Sequence, residues 1–322
     1  MKASVVIPTY NREQQLVDSI AYVLANTYPD FELIVVDQTE QHTPAVASAL
    51  NEFQQDDRFR LVELPVANLP FARNVGLRAA EGEVVIYVDD DVELGPDFIA
   101  QHVKRYTDPT VGAVAGRIVT PGIDNGNGSS PKPKPGRLNW DGHNESHFNQ
   151  SVYSGEVEWG QGCNMSFRRT ALEHAGAFDE RFTQNAIHEE VDAFTRVRAT
   201  GHKAVFEPEA LLVHLKEASG GCRSQQDELR YLCSLYRNKS LYFIKNTGWS
   251  GWMRYTLRVL SIIYSAARMK GLGVEGFFRL VGAHTAGVYA HYAEDQRELS
   301  SAKVISTAEV HRLAASVKWS SK

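Results

Sequence analysis

Three consecutive aspartates, Asp89, Asp90 and Asp91, directly follow the apolar run at 84–88. Alternate side chains of an extended segment point the same way, so Asp89 and Asp91 would present two carboxylates on one side. Oxygen donors of this kind suit Mg²⁺ or Mn²⁺ and leave coordination positions open for phosphate oxygens. The alternative is a solvated acidic turn ahead of the next helix. In this context the triplet predicts a divalent-metal site after a buried strand.

Other polar residues follow the other predicted strands. They are Pro8, Thr9, Tyr10, Asn11 and Arg12, then Asp37, and later Glu207 and His214. Open parallel sheets bind ligands at the carboxyl ends of their strands, where these residues would meet. Carboxylates gathered at one edge repel each other unless a cation lies between them. The pattern therefore predicts a ligand site with a bound cation.

The elements that would position these residues alternate between strands and helices. Runs rich in Val and Ile predict strands covered on both faces, at 4–7, 31–36, 59–64, 84–88 and 111–115. Apolar residues at helical spacing predict helices at 13–25, 44–53, 72–80, 96–106 and 189–200. Two further strand-like pieces lie at 204–206 and 211–214. This alternation predicts an α/β fold with a mostly parallel sheet flanked by helices.

Composition limits the class of protein. The 322 residues carry a formal charge of −5 and are 43% hydrophobic, which excludes a disordered chain and a nucleic-acid binder that relies on bulk positive charge. Three cysteines are too few for a disulfide framework, so a reducing compartment is expected. Neither a signal peptide nor an uninterrupted apolar run of spanning length is evident. We therefore expect a cytoplasmic protein.

Eight motifs in register resemble the family 2 glycosyltransferases of the GT-A fold, which are inverting enzymes. They are SVVIPTYNR at 4–12, VVD at 35–37, ARNVG at 72–76, DDD at 89–91, GCNMSFRR at 162–169, GAFDE at 176–180, EEVD at 189–192 and His214. Together they cover about residues 3–216. The resemblance implies a catalytic domain at 1–220, with a nucleotide-binding half at 1–115 and an acceptor half at 116–220. A Gly- and Pro-rich loop at 121–136 would be either a mobile flap or a surface insertion.

The resemblance also implies roles for single residues. The turn Pro8, Thr9, Tyr10 and Arg12 and the side chains of Asp37, Arg73, Asp89 and Asp90 would bind the nucleotide. Asp91 would ligate Mn²⁺ or Mg²⁺, and His214 would complete the metal shell. Purely structural roles are the alternatives to ligand binding: Asp37 could cap a turn, Arg73 could be a surface cation and His214 could be a structural histidine.

The acidic segment at 189–192 offers the general base of a single-displacement transfer. Glu190, Phe194 and Val197 lie at i, i+4 and i+7, which predicts that Glu190 faces the interior. Asp192 and Arg196 predict a solvated ion pair. Glu190 matches the family's catalytic carboxylate, although family members commonly have Glu-Asp here instead of Glu-Glu. Glu189 therefore remains an alternative base, and an acidic helix cap remains a non-catalytic one.

A second segment predicts contacts with a sugar. Gly162, Cys163 and Asn164 would approach the donor or acceptor sugar closely, and Trp159 would either stack on a sugar ring or pack in the core. Cys163 has no base beside it in the sequence, so no catalytic role is expected for its thiol.

Residues 221–322 are expected to form a helical region with a polar tail after Glu294. Between 229 and 280, nine basic residues face one acidic residue, Glu275. An apolar stripe is predicted at Trp252, Tyr255, Val259, Ile262 and Ala266, with Arg254, Arg258 and Arg268 opposite. Such a basic amphipathic helix is typical of peripheral attachment to the inner face of a membrane. Packing against the catalytic domain or a partner subunit is the alternative.

The sequence thus predicts a metal-dependent inverting glycosyltransferase. It would move a sugar from a nucleotide diphosphate, most simply UDP, to a hydroxyl of a glycan or lipid-linked saccharide, and it would not bind nucleic acid. A homo-oligomer is compatible with the sequence. The alternatives are a sugar-1-phosphate nucleotidyltransferase and a non-catalytic sugar- or membrane-binding protein. The segment after the first strand, PTYN at 8–11, lacks the Gly-rich phosphate loop that such nucleotidyltransferases usually carry.

Overall fold

The structure is a computed structural model that describes residues 1–123, 134–140, 144–215, 221 and 228–301. Its amino-terminal part consists of β1 (Ala3–Thr9), α1 (Gln14–Leu24), β2 (Phe31–Asp37), α2 (Pro44–Phe53), β3 (Phe59–Glu63), α3 (Leu69–Ala79) and β4 (Val84–Val88). Next come β5 (Val92–Leu94), α4 (Phe98–Val103), a 3₁₀ turn (Lys104–Thr107) and β6 (Val111–Val119). The strands and helices predicted for this part are therefore present, with ends that differ by a few residues.

The second part continues with β7 (Arg137–Leu138), β8 (Asn144–Glu145), β9 (Gly155–Glu156), β10 (Asn164–Arg168), α5 (Arg169–His174), α6 (Glu189–Ala199) and β11 (Lys203–His214). The pieces predicted at 204–206 and 211–214 are parts of β11, whose register with β6 shifts between Glu207 and Leu211. Ten residues of the loop predicted at 121–136 lie outside the described residues. So do most residues around the boundary predicted near 220–221 and the tail from 302 onward.

Nine of the described strands form one sheet. Its order is β3-β2-β1-β4-β10-β6-β11-β5, and β9 pairs with β11. Strands β1, β2, β3 and β4 run parallel, β10 runs against its neighbours β4 and β6, and β11 runs parallel to β6. The prediction of a mostly parallel α/β sheet is confirmed. Every residue of β1, β2 and β4 is buried, which explains why these segments are apolar without alternation.

This topology collects the polar residues at one edge of the sheet. The parallel strands β1 and β2 end there at Thr9 and Asp37, and β4 ends there at Val88, directly before Asp89. Because β10 runs in the opposite direction, its first residue, Asn164, pairs with Val88 at the same edge. The last residue of β11, His214, pairs with Val92 just beyond the aspartate triplet. Segments far apart in sequence therefore meet around Asp89.

The chain ends in two long helices, α7 (Glu228–Met269) and α8 (Gly273–Ser301). Gly248 interrupts α7 with a left-handed φ of 64°, a conformation that glycine adopts without strain. The first half of α7 packs against α6 and the loop before it. The second half folds back on the first, where the Phe243 and Tyr255 rings stack with centroids 4.1 Å apart, and it also pairs with α8 as a helical hairpin. Among the residues that the structure describes, no helix combines the length and apolar character needed to cross a bilayer.

Candidate active site

A cleft of about 400 Å³ opens at this edge of the sheet. All but three of the predicted site residues line it: Pro8, Thr9, Tyr10, Arg12, Arg73, Asp89, Asp90, Asp91, Trp159, Gly162, Cys163, Glu189 and Glu190. The cleft therefore joins the turn after β1, the aspartate triplet, the segment before β10 and the start of α6.

Asp90 organises the turn that follows β1. Its carboxylate accepts hydrogen bonds from Thr9 Oγ1 at 2.7 Å and from Arg12 Nε at 3.0 Å. Burial raises the pKa of Asp90 to about 7, while the Arg12 charge and the Thr9 hydroxyl oppose that rise. The Asp90 side chain, which was predicted to bind nucleotide, thus shapes the turn after β1 through Thr9 and Arg12.

Asp89 and Asp91 both lie close to His214. The His214 Nε2 atom is 3.1 Å from Asp91 Oδ1 and 3.7 Å from Asp89 Oδ2. The second oxygen of Asp91 accepts a hydrogen bond from Arg12 Nη2 at 3.1 Å. Asp91 is 1% exposed and Asp89 is 31% exposed, so Asp89 is the more accessible carboxylate of the pair.

Cys163 also lies beside these groups. Its sulfur, an Asp89 carboxylate oxygen and a His214 ring nitrogen all fall within 4.8 Å of one another. Burial raises the pKa of the Cys163 thiol. Burial opposes protonation of His214, but Cys163, Asp91 and Asp89 outweigh it and raise the pKa of His214. Oxygen, nitrogen and sulfur donors at this spacing fit a divalent cation, which would displace the imidazole proton.

Little in the sequence indicated that the Cys163 thiol lies beside the aspartates. The position of Cys163 directly before Asn164 would indicate it only to a reader who already knew that β10 pairs with β4. That antiparallel pairing sets Asn164 opposite Val88, one residue before Asp89. The sequence alone does not specify which strands are neighbours.

Arg73 links the aspartates to α6. Its buried guanidinium forms an ion pair with Glu189, donates a hydrogen bond to the carbonyl of Gly162 at 3.1 Å and lies 3.8 Å from Asp89 Oδ1. A Cβ atom at Gly162 would be only 2.8 Å from Arg73 Nη2, so glycine permits this approach. Arg73 is therefore an internal cation of the cleft and not a surface residue.

The two glutamates at the start of α6 have different environments. Glu189 is 2% exposed and is neutralised by Arg73. Glu190 is half-buried and lines the cleft. Burial raises the pKa of Glu190 to about 7, with the nearby Asp89 charge adding to the effect and Arg73 opposing it. Such a carboxylate is suited to exchange a proton near neutral pH.

Asp192 corrects a prediction from sequence. Its side chain is 0% exposed, so the expected solvated pair with Arg196 is wrong. The carboxylate accepts hydrogen bonds from Arg196 Nε at 2.7 Å, Lys245 Nζ at 3.0 Å and Asn246 Nδ2 at 2.9 Å. Two of these partners belong to α7, so the C-terminal helices hold the helix that carries Glu190.

Asp37, Asn164 and His214 are the predicted residues that do not line the cleft. Asp37 is bonded to His42 Nε2 at 2.7 Å and to the Thr39 backbone N–H at 2.8 Å. Asn164 is completely buried and bonds to His102 at 2.9 Å and to the carbonyls of Arg117 and Ala210. The structure thus gives Asn164 a role in holding strands together, whereas His214 reaches the cleft through Asp89 and Asp91.

Trp159 packs in the core, as one of its two interpretations expected, and it also lines the cleft. The ring lines the cleft, but it is 6% exposed and packs edge-on against Phe148 at a centroid distance of 5.1 Å. Its Nε1 donates a hydrogen bond to the Arg137 carbonyl at 3.2 Å. Further lining residues that the sequence did not indicate include Gln38, Gln161 and Tyr231. Tyr231 lies on α7, so the C-terminal region contributes directly to the cleft.

Comparison with known proteins identifies the class. Residues 4–176, more than half of the chain, match the family model described as "Glycosyl transferase family 2". The chain belongs to this family, whose members transfer sugars from nucleotide sugars. The prediction of a glycosyltransferase is therefore confirmed, and the family excludes a sugar-1-phosphate nucleotidyltransferase.

Individual relatives extend the comparison. The chain is 27% identical over 275 residues to the glucosyl-dolichyl phosphate glucuronosyltransferase of Haloferax volcanii, covering 83% of this chain and 80% of that one. Its fold is similar to S. aureus TarS 1–349 in complex with UDP-GlcNAc, with a TM-score of 0.63, 16% identity and coverage of 98% and 88%. It is also similar to the mannosyltransferase PcManGT from Pyrobaculum calidifontis in complex with GDP-Man and Mn²⁺, with a TM-score of 0.53, 20% identity and coverage of 98% and 79%.

Proposed function

We propose that the chain is a metal-dependent inverting glycosyltransferase in which Glu190 is the general base. The observation that carries this proposal is the position of Glu190: an unusually basic carboxylate in the same cleft as the aspartate triplet and the turn after β1. A carboxylate of this basicity takes the proton of an attacking hydroxyl while the sugar leaves its diphosphate. A single displacement needs no nucleophile from the protein, and no role of that kind is assigned to Cys163.

The donor is a nucleotide diphosphate sugar, most simply a UDP-sugar. Supporting this proposal, the turn Pro8 to Arg12 lines the cleft, and Asp37 and Gln38 lie at the end of β2 beside it. The fold-related TarS is in complex with UDP-GlcNAc, whereas PcManGT is in complex with GDP-Man. The nucleobase of the donor therefore has to be tested with several nucleotide sugars.

Asp91, His214 and Asp89 would hold a divalent cation, Mn²⁺ or Mg²⁺. Their spacing and their mix of oxygen and nitrogen donors fit such an ion. When bound, the cation neutralises charge that develops on the leaving diphosphate. Arg73, 3.8 Å from Asp89, adds a fixed positive charge beside that position.

Glu189 serves to position Arg73 and is not the base. Its buried carboxylate forms an ion pair with the Arg73 guanidinium, which never loses its proton. In the part of the chain that the structure describes, Glu190 has no such ion pair, and its pKa is raised. The structure thus favours Glu190 between the two candidates that the sequence left open.

The acceptor is a hydroxyl of a glycan or of a lipid-linked saccharide. The similarity to an enzyme named for a dolichyl phosphate glucoside supports a lipid-linked acceptor. Tyr231 of α7 lies at the cleft, so the C-terminal helices are well placed to contribute to acceptor binding.

Thermal unfolding with a donor panel tests this function. UDP-, dTDP- and GDP-sugars are added to the full chain with and without Mn²⁺, and release of the nucleoside diphosphate is measured in parallel. We expect a UDP-sugar to stabilise the protein only when Mn²⁺ is present, and to be consumed slowly. Stabilisation by none of the donors would contradict the proposal. Binding without any turnover would favour a non-catalytic sugar-binding protein.

A further inference from the structure

The hairpin of α7 and α8 has an outward apolar face in addition to its inward one. The inward side chains of α7 are Tyr255, Val259, Ile263 and Ala267, all buried. The stripe predicted from sequence is therefore partly wrong, because Ile262 is exposed and Ile263 is buried. This inward stripe packs against the first half of α7 and against α8, since the Tyr255 ring centroid lies 4.1 Å from that of Phe243 and 5.5 Å from that of His284. The stripe is therefore not available to a partner.

The outward apolar face of α7 is made by exposed residues at helical spacing. They are Trp249, Met253, Leu257, Leu260 and Tyr264, separated by four, four, three and four positions. Residues with this spacing lie along one side of a helix. Leu257 is 78% exposed, which is unusual for a leucine in a folded protein with no partner for it.

Helix α8 carries a matching outward face. Its exposed apolar residues are Val274, Phe278, Tyr289 and Tyr292, and Val274 is 74% exposed. The Trp249 and Tyr292 rings stack on each other with centroids 5.9 Å apart. Since one ring belongs to each outward face, the two faces lie on the same side of the hairpin and form one surface. We call these nine residues the hairpin surface.

Arginines border the hairpin surface in a regular way. Arg254, Arg258 and Arg279 directly follow Met253, Leu257 and Phe278 in the sequence, which puts each about 100° further round its helix. All three arginines are exposed. Between residues 249 and 292 the sequence contains five basic residues and one acidic residue, Glu275. An apolar surface with such a border matches an anionic lipid surface, because long cationic side chains reach the headgroups while apolar ones enter the acyl boundary.

We propose that the hairpin surface docks on an anionic lipid bilayer. A second copy of the chain fits less well, because a twofold contact would bring two sets of these arginines together with few acidic partners. Aromatic side chains such as Trp249, Tyr264 and Tyr289 are also the residues that favour the membrane–water interface. The hairpin lies along the bilayer and does not cross it.

Docking would fix the distance of the cleft from the bilayer. The first half of α7 is held to the catalytic part by polar contacts: Ser234 Oγ donates to Asn185 Oδ1 at 2.6 Å and Asn238 Nδ2 donates to the Thr183 carbonyl at 3.1 Å. Asn185 lines the cleft. If the proposed function holds, this arrangement presents the cleft to acceptors carried by lipids, but the docking itself does not depend on catalysis.

Flotation of the full chain with lipid vesicles tests the docking. Vesicles of phosphatidylcholine alone are compared with vesicles that also contain phosphatidylglycerol, at low and high salt. The variants are Leu257→Gln with Phe278→Gln, and Arg254→Gln with Arg258→Gln. The matched control is Tyr22→Gln with Val152→Gln, two exposed apolar residues outside the hairpin. Circular dichroism and thermal unfolding establish that each variant is folded.

We expect binding to anionic vesicles that is weaker at high salt and much weaker to neutral ones. The leucine and phenylalanine substitutions should reduce binding by about tenfold or more, because they remove apolar side chains that enter the bilayer. The arginine substitutions should remove the preference for anionic lipid, and the control should bind as the wild type does. Unchanged binding of the Leu257 and Phe278 variant, equal binding to neutral vesicles, or no binding at all would overturn the proposal. So would a dimer in solution that this variant dissociates.

Discussion

Arg73 forms a buried ion pair with Glu189, which gives Glu189 a different environment from that of the neighbouring Glu190. Both glutamates line the cleft, but Glu189 is paired with the guanidinium, whereas the pKa of Glu190 is raised. The same guanidinium lies 3.8 Å from Asp89. One internal cation thus connects the aspartate triplet with the helix that carries the proposed base.

Replacing Glu190 tests the assignment of the base. Glu190→Gln should lower kcat by about 10²–10⁴, the usual contribution of a positioned base, and should leave donor binding intact. Glu190→Asp should retain some activity, because it keeps a carboxylate although it withdraws the oxygen from the cleft. Steady-state kinetics together with donor titration separate these effects. Loss of donor binding in Glu190→Gln would assign the residue to the donor site instead.

The pH dependence of transfer follows from the same residue. Burial raises the pKa of Glu190 to about 7, so the basic form is lost as the pH falls below that value. We expect kcat/KM to fall by about tenfold per pH unit below 7, provided that the base must be ionised. A profile that stays flat down to about pH 5 would be inconsistent with Glu190 as the base and would point to a carboxylate of ordinary pKa.

The Arg73–Glu189 pair should be essential for stability. Removal of one partner leaves an uncompensated buried charge, so Arg73→Met or Glu189→Gln should lower the free energy of unfolding by about 3–5 kcal/mol. The double variant Arg73→Met with Glu189→Met should lose less free energy of unfolding than the two single variants lose together. Urea unfolding measures these values. Glu173→Gln, which breaks the half-exposed pair with Arg169, is the matched control and should cost less than about 1 kcal/mol.

Acid should loosen the attachment of the C-terminal helices. Burial favours the neutral acid of Asp179, but Arg181 and Lys245 outweigh it and hold its pKa well below the ordinary value. A carboxylate whose pKa is lower in the folded than in the unfolded protein stabilises the fold fully at pH values above its unfolded-state pKa. This contribution is lost as the pH falls toward the lower pKa of the folded state. We expect stability to decline below about pH 4, and less steeply in Lys245→Met. Equal pH slopes for both proteins would show that this contact contributes nothing to acid sensitivity.

Metal binding can be measured apart from catalysis. His214→Ala and Asp91→Asn should each weaken the stabilisation of the protein by Mn²⁺, because each removes a proposed ligand. Co²⁺ gives an additional readout, since a thiolate ligand produces charge-transfer absorption that Cys163→Ser would abolish. Cys163→Ser with unchanged Co²⁺ spectra would show that the thiol is only a neighbour of the site.

Much of the fold could be predicted from local sequence. The Val- and Ile-rich runs at β1, β2 and β4 are strands because they are buried on both faces, and the aspartates after β4 lie at the sheet edge where parallel strands end. These features depend on residues close together in sequence. The family resemblance added the order of the motifs and indicated the segment at 189–192 in which the base is proposed.

The rest depended on contacts between distant segments. Asp192 was expected in solvent, but Lys245 and Asn246 of α7 cover it. These partners lie more than 50 positions away in the sequence, so the residues around Asp192 do not indicate its burial. In the second half of α7 the sequence shows two apolar faces separated by about 100°, and the packing of the first half of α7 and of α8 specifies which of them is inside. Likewise, the pairing of Asp37 with His42 depends on the path of the chain after β2.

Metal-dependent transfer with Glu190 as the general base is tested most directly by the release of nucleoside diphosphate from a UDP-sugar. This release is measured for the wild type and for Glu190→Gln, with Mn²⁺ and with a chelator. We expect turnover by the wild type with Mn²⁺ and none with the chelator. We also expect the donor and Mn²⁺ to stabilise Glu190→Gln as they stabilise the wild type, although this variant should show almost no turnover. Normal turnover by Glu190→Gln would contradict its role as the base, and turnover that persists in the chelator would contradict the need for a metal.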